Sequence, residues 1–139
     1  MTQPTILLPA MALVGWTLCV LLLVPYQRFK AAFAGKVTAH DFKFGESARV
    51  PQDVSIPNRN LMNLLEVPVL FYVVCVVAYF MQKADPLTLT LAWSYVVLRM
   101  LHSLVHLSYN QVMHRMAVFA ASNGVLALLW LRLFIALLT

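Results

Sequence analysis

The sequence predicts an all-α integral membrane protein in which four helices cross the bilayer as an up-and-down bundle. Of its 139 residues, 62% are hydrophobic and only 11% are charged, whereas about a quarter of the residues in soluble globular domains are charged. One crossing takes roughly 20 apolar residues, so this length accommodates four crossings in a single domain, residues 1–139. The connections after the second and third apolar runs are short, which makes successive helices antiparallel neighbours.

The first crossing is predicted over residues 6–28 and ends at a polar group that includes Arg28 and Lys30. We expect a crossing rather than a cleaved signal peptide, because the run is long enough to span and lacks a basic leader and a small-residue cleavage site. Residues 29–56 carry seven of the 15 charged side chains, together with Gly35, Gly45 and Pro51. This segment is predicted to be a long loop.

The remaining crossings are predicted from proline and cap signals. Pro57 is placed as the first helical residue of a second span over 57–81, and Pro68 is expected to kink that span. Asp85 and Pro86 form an N-cap and first-turn pair that opens a third span over 87–109. Asn110 is predicted to cap a fourth span over 112–138.

The distribution of basic residues predicts the orientation. The second connection has only Lys83, whereas the first loop and its flanks hold Arg28, Lys30, Lys36, Lys43, Arg49 and Arg59. Loops rich in Lys and Arg face the cytoplasm, so loop 29–56 is predicted to be cytoplasmic and both termini to lie opposite. We interpret the net charge of +5 in the same way and expect the lipid bilayer, not nucleic acid, as the partner.

Two polar stripes cross the predicted spans. A charged group in the bilayer core costs at least about 2.5–3.5 kcal/mol and usually marks a site. On span 2 the stripe contains Arg59, Asn63 and Glu66, with Asn60 beside it. On span 3 it contains Tyr95, Arg99, His102, His106 and Tyr109, at three-four spacing. Both stripes are predicted to face protein or water.

Helical rise predicts which polar groups share a depth. At about 1.5 Å per residue, Glu66 and Arg99 lie about 13 and 12 Å below the same boundary, so we expect them to form an ion pair. The same estimate places Asn63 at the depth of His102 and Arg59 at the depth of His106. Arg28 and Arg115 lie in the same layer as Arg59. All four spans are therefore predicted to deliver polar groups to one cytoplasmic-facing cavity.

Several of these groups also have structural interpretations. A pair of Glu66 with Arg99 is as typical of a buried structural ion pair that fixes helix register as it is of a binding site. Arg28 is also typical of an arginine that anchors a helix end at the membrane surface. His102 and His106 are equally typical of helix–helix hydrogen bonds. The two histidines lack a third ligand at a recognisable spacing, so no metal site is expected.

Arg115 points to an anionic ligand. It lies in the first turn of span 4, where the helix dipole disfavours a cation, and this cost is offset if an anion binds there. Arginines bind carboxylates in bidentate fashion, and Glu66 or Asn63 is suited to receive an amine. The cavity therefore suits a small anion that carries both carboxylates and an ammonium.

Two segments resemble a known family. Residues 59–68 (RNLMNLLEVP) and 99–106 (RMLHSLVH), followed by 110–115, resemble the second and third helices of the MAPEG family, the membrane-associated proteins of eicosanoid and glutathione metabolism. The resemblance covers residues 58–133. Span 1 and loop 1 match only in placement and in the run 30–34 (KAAFA).

The resemblance implies a homotrimer that holds glutathione, the co-substrate, between neighbouring subunits on the cytoplasmic side. It places Arg59 and Asn60 on the family's Arg-Asn pair in helix 2, His102 on a glutathione-contacting histidine of helix 3, and Arg115 on the arginine that stabilises the thiolate. The chain also departs from the pattern. Asn63 replaces an acidic residue, with Glu66 three residues later, His106 replaces a common Tyr, and Arg28 is only the nearest match to the helix-1 arginine.

The predicted function is a membrane-bound glutathione-dependent transferase or peroxidase that acts on a lipophilic electrophile or lipid hydroperoxide. Arg115 is the predicted catalytic residue, and the predicted glutathione-binding residues are Arg28, Arg59, Asn60, Asn63, Glu66, Arg99, His102, His106 and Tyr109. The alternative is a non-catalytic scaffold or small-anion binder, which the Asn63 and His106 departures favour. A proton or ion pathway is disfavoured because residues 70–80 and 125–131 are essentially apolar.

Overall fold

The computed structural model describes residues 3–139, and this part of the chain is helical without a β-strand. The helices are α1 (Leu7–Phe33), α2 (Gln52–Leu65), α3 (Pro68–Phe80), α4 (Pro86–Leu107) and α5 (Val112–Leu138), with short 3₁₀ helices at Gln3–Ile6 and Ala39–Phe42. Four stretches are long and apolar enough to cross a membrane: Gln3–Phe33, Gln52–Phe80, Pro86–Leu107 and Val112–Leu138. The predicted four-span helical bundle is confirmed, with α2 and α3 sharing one span.

The bundle exposes large apolar side chains on its outer surface and buries polar side chains within its apolar interior. Met11, Leu22 and Phe80 are 69%, 71% and 77% exposed, whereas Asn60 and Arg99 are buried. In water this would be the reverse of the usual order. In a bilayer, lipid covers the apolar surface, and polar side chains are placed inside the protein, away from the hydrocarbon.

Packing between helices forms one main core. The most extensive helix contact is between α4 and α5, and α1 contacts α2, α3 and α4. At the centre the rings of Phe71 and Tyr95 stack with centroids 4.4 Å apart, close to the buried side chains of Leu13 and Leu129. This core fixes the relative positions of the helices that carry the polar stripes.

The second span begins earlier than predicted. Helix α2 starts at Gln52 after an extended Pro51, and Pro57, predicted as the first helical residue, lies inside the helix. The reason is tertiary: Val54 is fully buried in a small second core with Ala31 and Val37. Burial of Val54 stabilises an extra helical turn that the proline signal alone does not predict.

The first span ends later than predicted. Helix α1 continues past Arg28 to Phe33, because Ala31 is buried against loop 1 and nothing in the run 31–33 breaks a helix. Gly35 follows with φ +71°, a left-handed conformation that glycine adopts at little cost. Loop 1 therefore comprises residues 34–51 rather than 29–56.

Loop 1 is held by a buried carboxylate. Asp41 Oδ2 accepts a hydrogen bond from Thr38 N at 2.8 Å, and Oδ1 accepts one from Ser47 Oγ at 2.8 Å. Ser47 N also donates to Asp41 O at 2.9 Å. The Thr38 amide, followed by the Ser47 hydroxyl, lowers the pKa of Asp41 below its ordinary value. These bonds give the long loop a defined shape.

The predicted kink at Pro68 and the predicted cap at Asp85 and Pro86 are confirmed. Pro68 has no amide hydrogen, and the helix breaks just before it, with Glu66 at φ −85° and ψ −95°. Pro86 is the first residue of α4, and Asp85 Oδ1 accepts a hydrogen bond from Thr88 N at 2.7 Å.

The prediction for the cap of span 4 is wrong. Helix α4 ends at Leu107, two residues before the predicted Tyr109, and the N-cap of α5 is Gln111. Asn110 has φ +49°, which Asn tolerates better than most residues. Its side chain accepts a hydrogen bond from Arg115 instead.

Candidate functional site

Three cavities adjoin on the side of the bundle that carries loop 1. The outer cavity has about 490 Å³ and is lined by Glu46, Ser47, Ala48, Val50, Gln52, Ser55, Ile56, Arg59 and Asn110. The middle cavity has about 320 Å³ and is lined by Ile56, Arg59, Met62, Asn63, Glu66, His106, Asn110 and Arg115. The inner cavity has about 290 Å³ and is lined by Asn63, His102, Val112, Arg115, Met116 and Phe119.

Shared residues connect these cavities into one groove. Arg59 and Asn110 line both the outer and the middle cavity. Asn63 and Arg115 line both the middle and the inner cavity. The groove therefore runs from beneath loop 1 to the gap between α2, α4 and α5.

Helix α2 contributes one polar stripe to the groove. Arg59, Asn63 and Glu66 follow at helical spacing and all line the middle cavity, and Glu66, the C-cap of α2, is exposed there. The break before Pro68 ends the stripe at this level. One helix thus supplies a cation, an amide and a carboxylate to the same cavity.

Helix α4 contributes two buried histidines. His102 and His106 are each 3% exposed, with ring centroids 6.0 Å apart. His102 lines the inner cavity and His106 the middle cavity. Within residues 3–139, His106 Nδ1 is buried and has no hydrogen-bond partner.

Helix α5 contributes Arg115. Its Nη1 donates to Asn110 Oδ1 at 2.7 Å, which fixes the guanidinium between the middle and inner cavities. Arg115 N bonds to Gln111 O, so the amides of residues 112–114 precede the first i to i−4 bond of the helix and lack intrahelical acceptors. The guanidinium and these amides together make this point of the groove electropositive.

Asn60 lies behind the groove rather than on it. It is fully buried and donates from Nδ2 to Ser103 Oγ at 2.5 Å. This bond joins α2 to α4. Asn60 is therefore placed to set helix register, and its predicted contact with glutathione stays a prediction.

The predicted ion pair between Glu66 and Arg99 does not form. Glu66 is exposed in the middle cavity, whereas Arg99 is 1% exposed and donates from Nε to Tyr95 Oη at 3.0 Å. The Arg99 guanidinium lies 5.0 Å from the Phe119 ring, and Nη1 and Nη2 have no partner among the described residues. Helical rise gives the depth of a residue but not the direction that its side chain takes, and the break at Glu66 changes that direction.

Arg28 and Tyr109 lie beside the groove. Arg28 Nη2 lies 3.3 Å from Glu46 Oε1, and its guanidinium lies 4.6 Å from the Phe42 ring. It therefore reaches the outer cavity only through Glu46. Tyr109 is 62% exposed and its Oη lies 3.1 Å from His114 Nδ1.

The comparisons with known proteins identify the family. The MAPEG family model matches residues 6–135, which is nearly the whole chain. The chain belongs to the MAPEG family. Comparison with the curated proteins and with the solved structures gives no match. The resemblance carried by α2 and α4 is thereby confirmed and extended through α1 and loop 1, and this MAPEG chain is a multi-pass membrane protein.

Sequence reasoning missed several groove residues of this MAPEG protein. Glu46 lies in loop 1, where no periodicity indicates its orientation, and the sequence at Asn110 indicates only a helix cap. Val112, Met116 and Phe119 form the apolar wall of the inner cavity. Their spacing of four and three residues is typical of any buried or lipid-facing helix stripe, so only the position of α5 assigns them to the groove.

The described residues contain no metal-binding cluster. Between residues 3 and 139 there is no group of three or more His, Cys, Asp or Glu side chains that could hold a metal ion. The groove of this MAPEG chain brings together two arginines, two carboxylates, two histidines, amides and serine hydroxyls.

Proposed function

We propose that this MAPEG protein is a glutathione-dependent transferase or peroxidase that acts on a lipophilic electrophile. Glutathione binds in the outer and middle cavities, and the second substrate enters the inner cavity from the bilayer. The single observation that supports this most strongly is the position of Arg115, which lines the polar middle cavity and the inner cavity with its apolar wall. A thiol beside Arg115 meets a lipophilic partner there.

Arg115 activates the thiol by charge. A free thiol with a pKa of about 8.5 is mostly protonated at neutral pH, and the thiolate is the nucleophile. The guanidinium and the free amides at the start of α5 favour the thiolate over the thiol. Asn110 holds Arg115 in place through the 2.7 Å hydrogen bond, so little reorganisation is needed when the charge develops.

Two reactions follow from such a thiolate. In conjugation, sulfur forms a bond to an electrophilic carbon, and the leaving group departs with its electron pair. In peroxide reduction, the thiolate attacks the terminal oxygen of a lipid hydroperoxide, and the O–O bond breaks to release the lipid alcohol. A second glutathione then attacks the resulting sulfenic acid, which gives the disulfide and one water molecule. Val112, Met116 and Phe119 line the apolar wall on which either lipophilic substrate would pack.

The groove of a single chain opens to the surface, and we expect a second copy to close it. The MAPEG resemblance implies a homotrimer with glutathione between neighbouring subunits, with loop 1 on the cytoplasmic side. Native mass spectrometry of the purified protein in detergent tests this. A trimer supports the placement of glutathione between subunits, and a monomeric protein that still binds glutathione contradicts it.

The test of the proposed function is the ultraviolet absorbance of the thiolate on adding glutathione to the purified protein. We expect a thiolate signal at neutral pH in the native protein, at least a tenfold loss in Arg115→Ala, and substantial retention in Arg115→Lys, which keeps the charge. Lys83→Ala, at the opposite end of the bundle, is the matched control and should leave the signal unchanged. Failure to bind glutathione at millimolar concentration contradicts the proposal.

The alternative is a MAPEG-fold protein that binds an anion without chemistry. Asn63 and His106, which depart from the family pattern and line the middle cavity, favour it. The same experiment separates the two functions. Binding of glutathione with no thiolate signal and no turnover of a model electrophile favours the non-catalytic alternative.

A further inference from the structure

Glu46 is a carboxylate of the groove that the proposed chemistry does not use. It lies in loop 1 and lines the outer cavity together with Arg59. Its side chain is only 16% exposed. A carboxylate at the entrance of a ligand groove requires an explanation, because the ligand proposed above is an anion.

The Glu46 carboxylate is held rigidly from two sides. Ser55 Oγ donates to Oε2 at 2.6 Å, and Arg28 Nη2 donates to Oε1 at 3.3 Å. An ionised carboxylate has about four acceptor positions, so these two bonds leave acceptor capacity for a donor from the cavity. Because Arg28 and Ser55 come from α1 and α2, the carboxylate is fixed before any ligand arrives.

The charges of the groove alternate along its length. Glu46 and Arg59 face the outer cavity, Arg59, Glu66 and Arg115 face the middle one, and Arg115 faces the inner one. A ligand that carries an ammonium next to a carboxylate matches Glu46 next to Arg59. The γ-glutamyl end of glutathione carries this pair, and its thiol lies further along the molecule, toward Arg115.

Glu46 is better placed than Glu66 to receive an ammonium. Glu46 lies in a loop outside the membrane-spanning helices, where an ammonium need not lose all its water, whereas Glu66 lies within the second span, where desolvating a cation is costly. The Glu46 carboxylate is in addition held in place by Ser55 and Arg28.

We propose that Glu46 is a specificity-determining residue that binds the free α-amino group of the γ-glutamyl end of the thiol substrate. This assignment rests on the proposed function, because it takes glutathione as the ligand. It gives the groove a direction, with the amino-acid end under loop 1 and the sulfur at Arg115. Thiols that lack this ammonium are then discriminated against by the outer cavity.

The experiment compares two ligands on two proteins. Glutathione and its desamino analogue, in which a glutaryl group replaces the γ-glutamyl group, are titrated into the native protein and into Glu46→Gln by calorimetry in detergent. A hydrogen bond to a charged group predicts about tenfold or greater preference of the native protein for glutathione. In Glu46→Gln the preference should fall to about twofold or less. Asp53→Asn, which removes the charge of an exposed carboxylate that follows loop 1 and is outside the lining of the outer cavity, is the matched control and should retain the preference.

The outcomes separate this inference from the proposed function. If the role of Glu46 is purely structural, Glu46→Gln loses affinity for both ligands equally and keeps the preference for glutathione. This result overturns the inference, while the proposed function stands. Equal affinity of the native protein for the two ligands overturns it without any variant, even if Glu46→Gln does not fold. No binding of glutathione to the native protein overturns both.

Discussion

Replacing Asp85 with Ala should destabilise the bundle through two contacts that the structure shows directly. Asp85 Oδ1 accepts from Thr88 N at 2.7 Å at the N-terminus of α4, and Oδ2 accepts from Arg132 Nη2 at 2.7 Å. The first contact caps α4 and the second joins the turn before α4 to α5. Both lie on the side of the bundle opposite the groove.

The expected cost is the sum of a cap and a surface ion pair. Loss of an Asp N-cap costs about 1 kcal/mol. The ion pair contributes about 0.2–1 kcal/mol, because the Arg132 and Asp85 side chains are 35% and 48% exposed and solvent screens them. Asp85→Ala should therefore lower the free energy of unfolding by about 1–2 kcal/mol.

Denaturant titration in detergent micelles, followed by circular dichroism, measures this change. Asp85→Asn is the matched control because Asn caps helices as well as Asp does, so it should lose only about 0.2–1 kcal/mol. Arg132→Met should lose the same amount. If Asp85→Asn is as destabilised as Asp85→Ala, the cap contributes nothing and the reasoning is refuted.

The same carboxylate predicts a pH dependence. Burial raises the pKa of Asp85, but the hydrogen bond from Thr88 N and the charge of Arg132 outweigh it, so that the pKa lies below its ordinary value. A lowered pKa in the folded state means that the stabilisation is complete above the unfolded value of about 3.9 and is lost as the pH falls through the folded value. Native protein should lose this contribution in acid, and Asp85→Asn should not.

Three further predictions concern buried polar contacts. Tyr95→Phe removes the oxygen that accepts from Arg99 Nε and should lower the free energy of unfolding by about 1.5–3 kcal/mol in a denaturant titration. Ser103→Ala removes the acceptor of Asn60 Nδ2 and should cost about 1 kcal/mol in the same assay, as typical interhelical bonds in membranes do. Asp41→Asn should accelerate proteolysis of loop 1 at neutral pH, where the native carboxylate is ionised and holds the loop. Because the pKa of Asp41 is lowered, native protein should be digested faster only when the pH falls through that pKa, and Asp41→Asn should not show this increase in acid.

Matched variants test the specificity of these effects. Ser108→Ala removes only a bond to a carbonyl of its own helix, Leu104 O, and should leave stability nearly unchanged. Equal losses for Ser103→Ala and Ser108→Ala would contradict the register role of the bond between α2 and α4. For loop 1, identical digestion rates of native protein and Asp41→Asn at neutral pH would show that the carboxylate does not hold the loop.

Much of the fold follows from local features of the sequence. Four apolar runs of sufficient length determine four crossings, because a helix is the simplest structure that satisfies its backbone within a bilayer. Pro68 and Asp85 act within one helical turn, so the kink and the cap are predictable. The layer of polar residues is also predictable, because depth depends only on the rise along each helix.

Only the tertiary structure determines the features that depend on side-chain direction and on contacts between residues distant in the sequence. Burial of Val54 against Ala31 and Val37 extended α2 beyond its proline signal, and the break at Glu66 separated that carboxylate from Arg99. Glu46 entered the groove because loop 1 folds back over α2, a long-range placement that carries no periodic signature. The composition and periodicity of this chain thus determine a membrane bundle with a polar layer, whereas side-chain direction and loop folding determine which charges of that layer face a ligand.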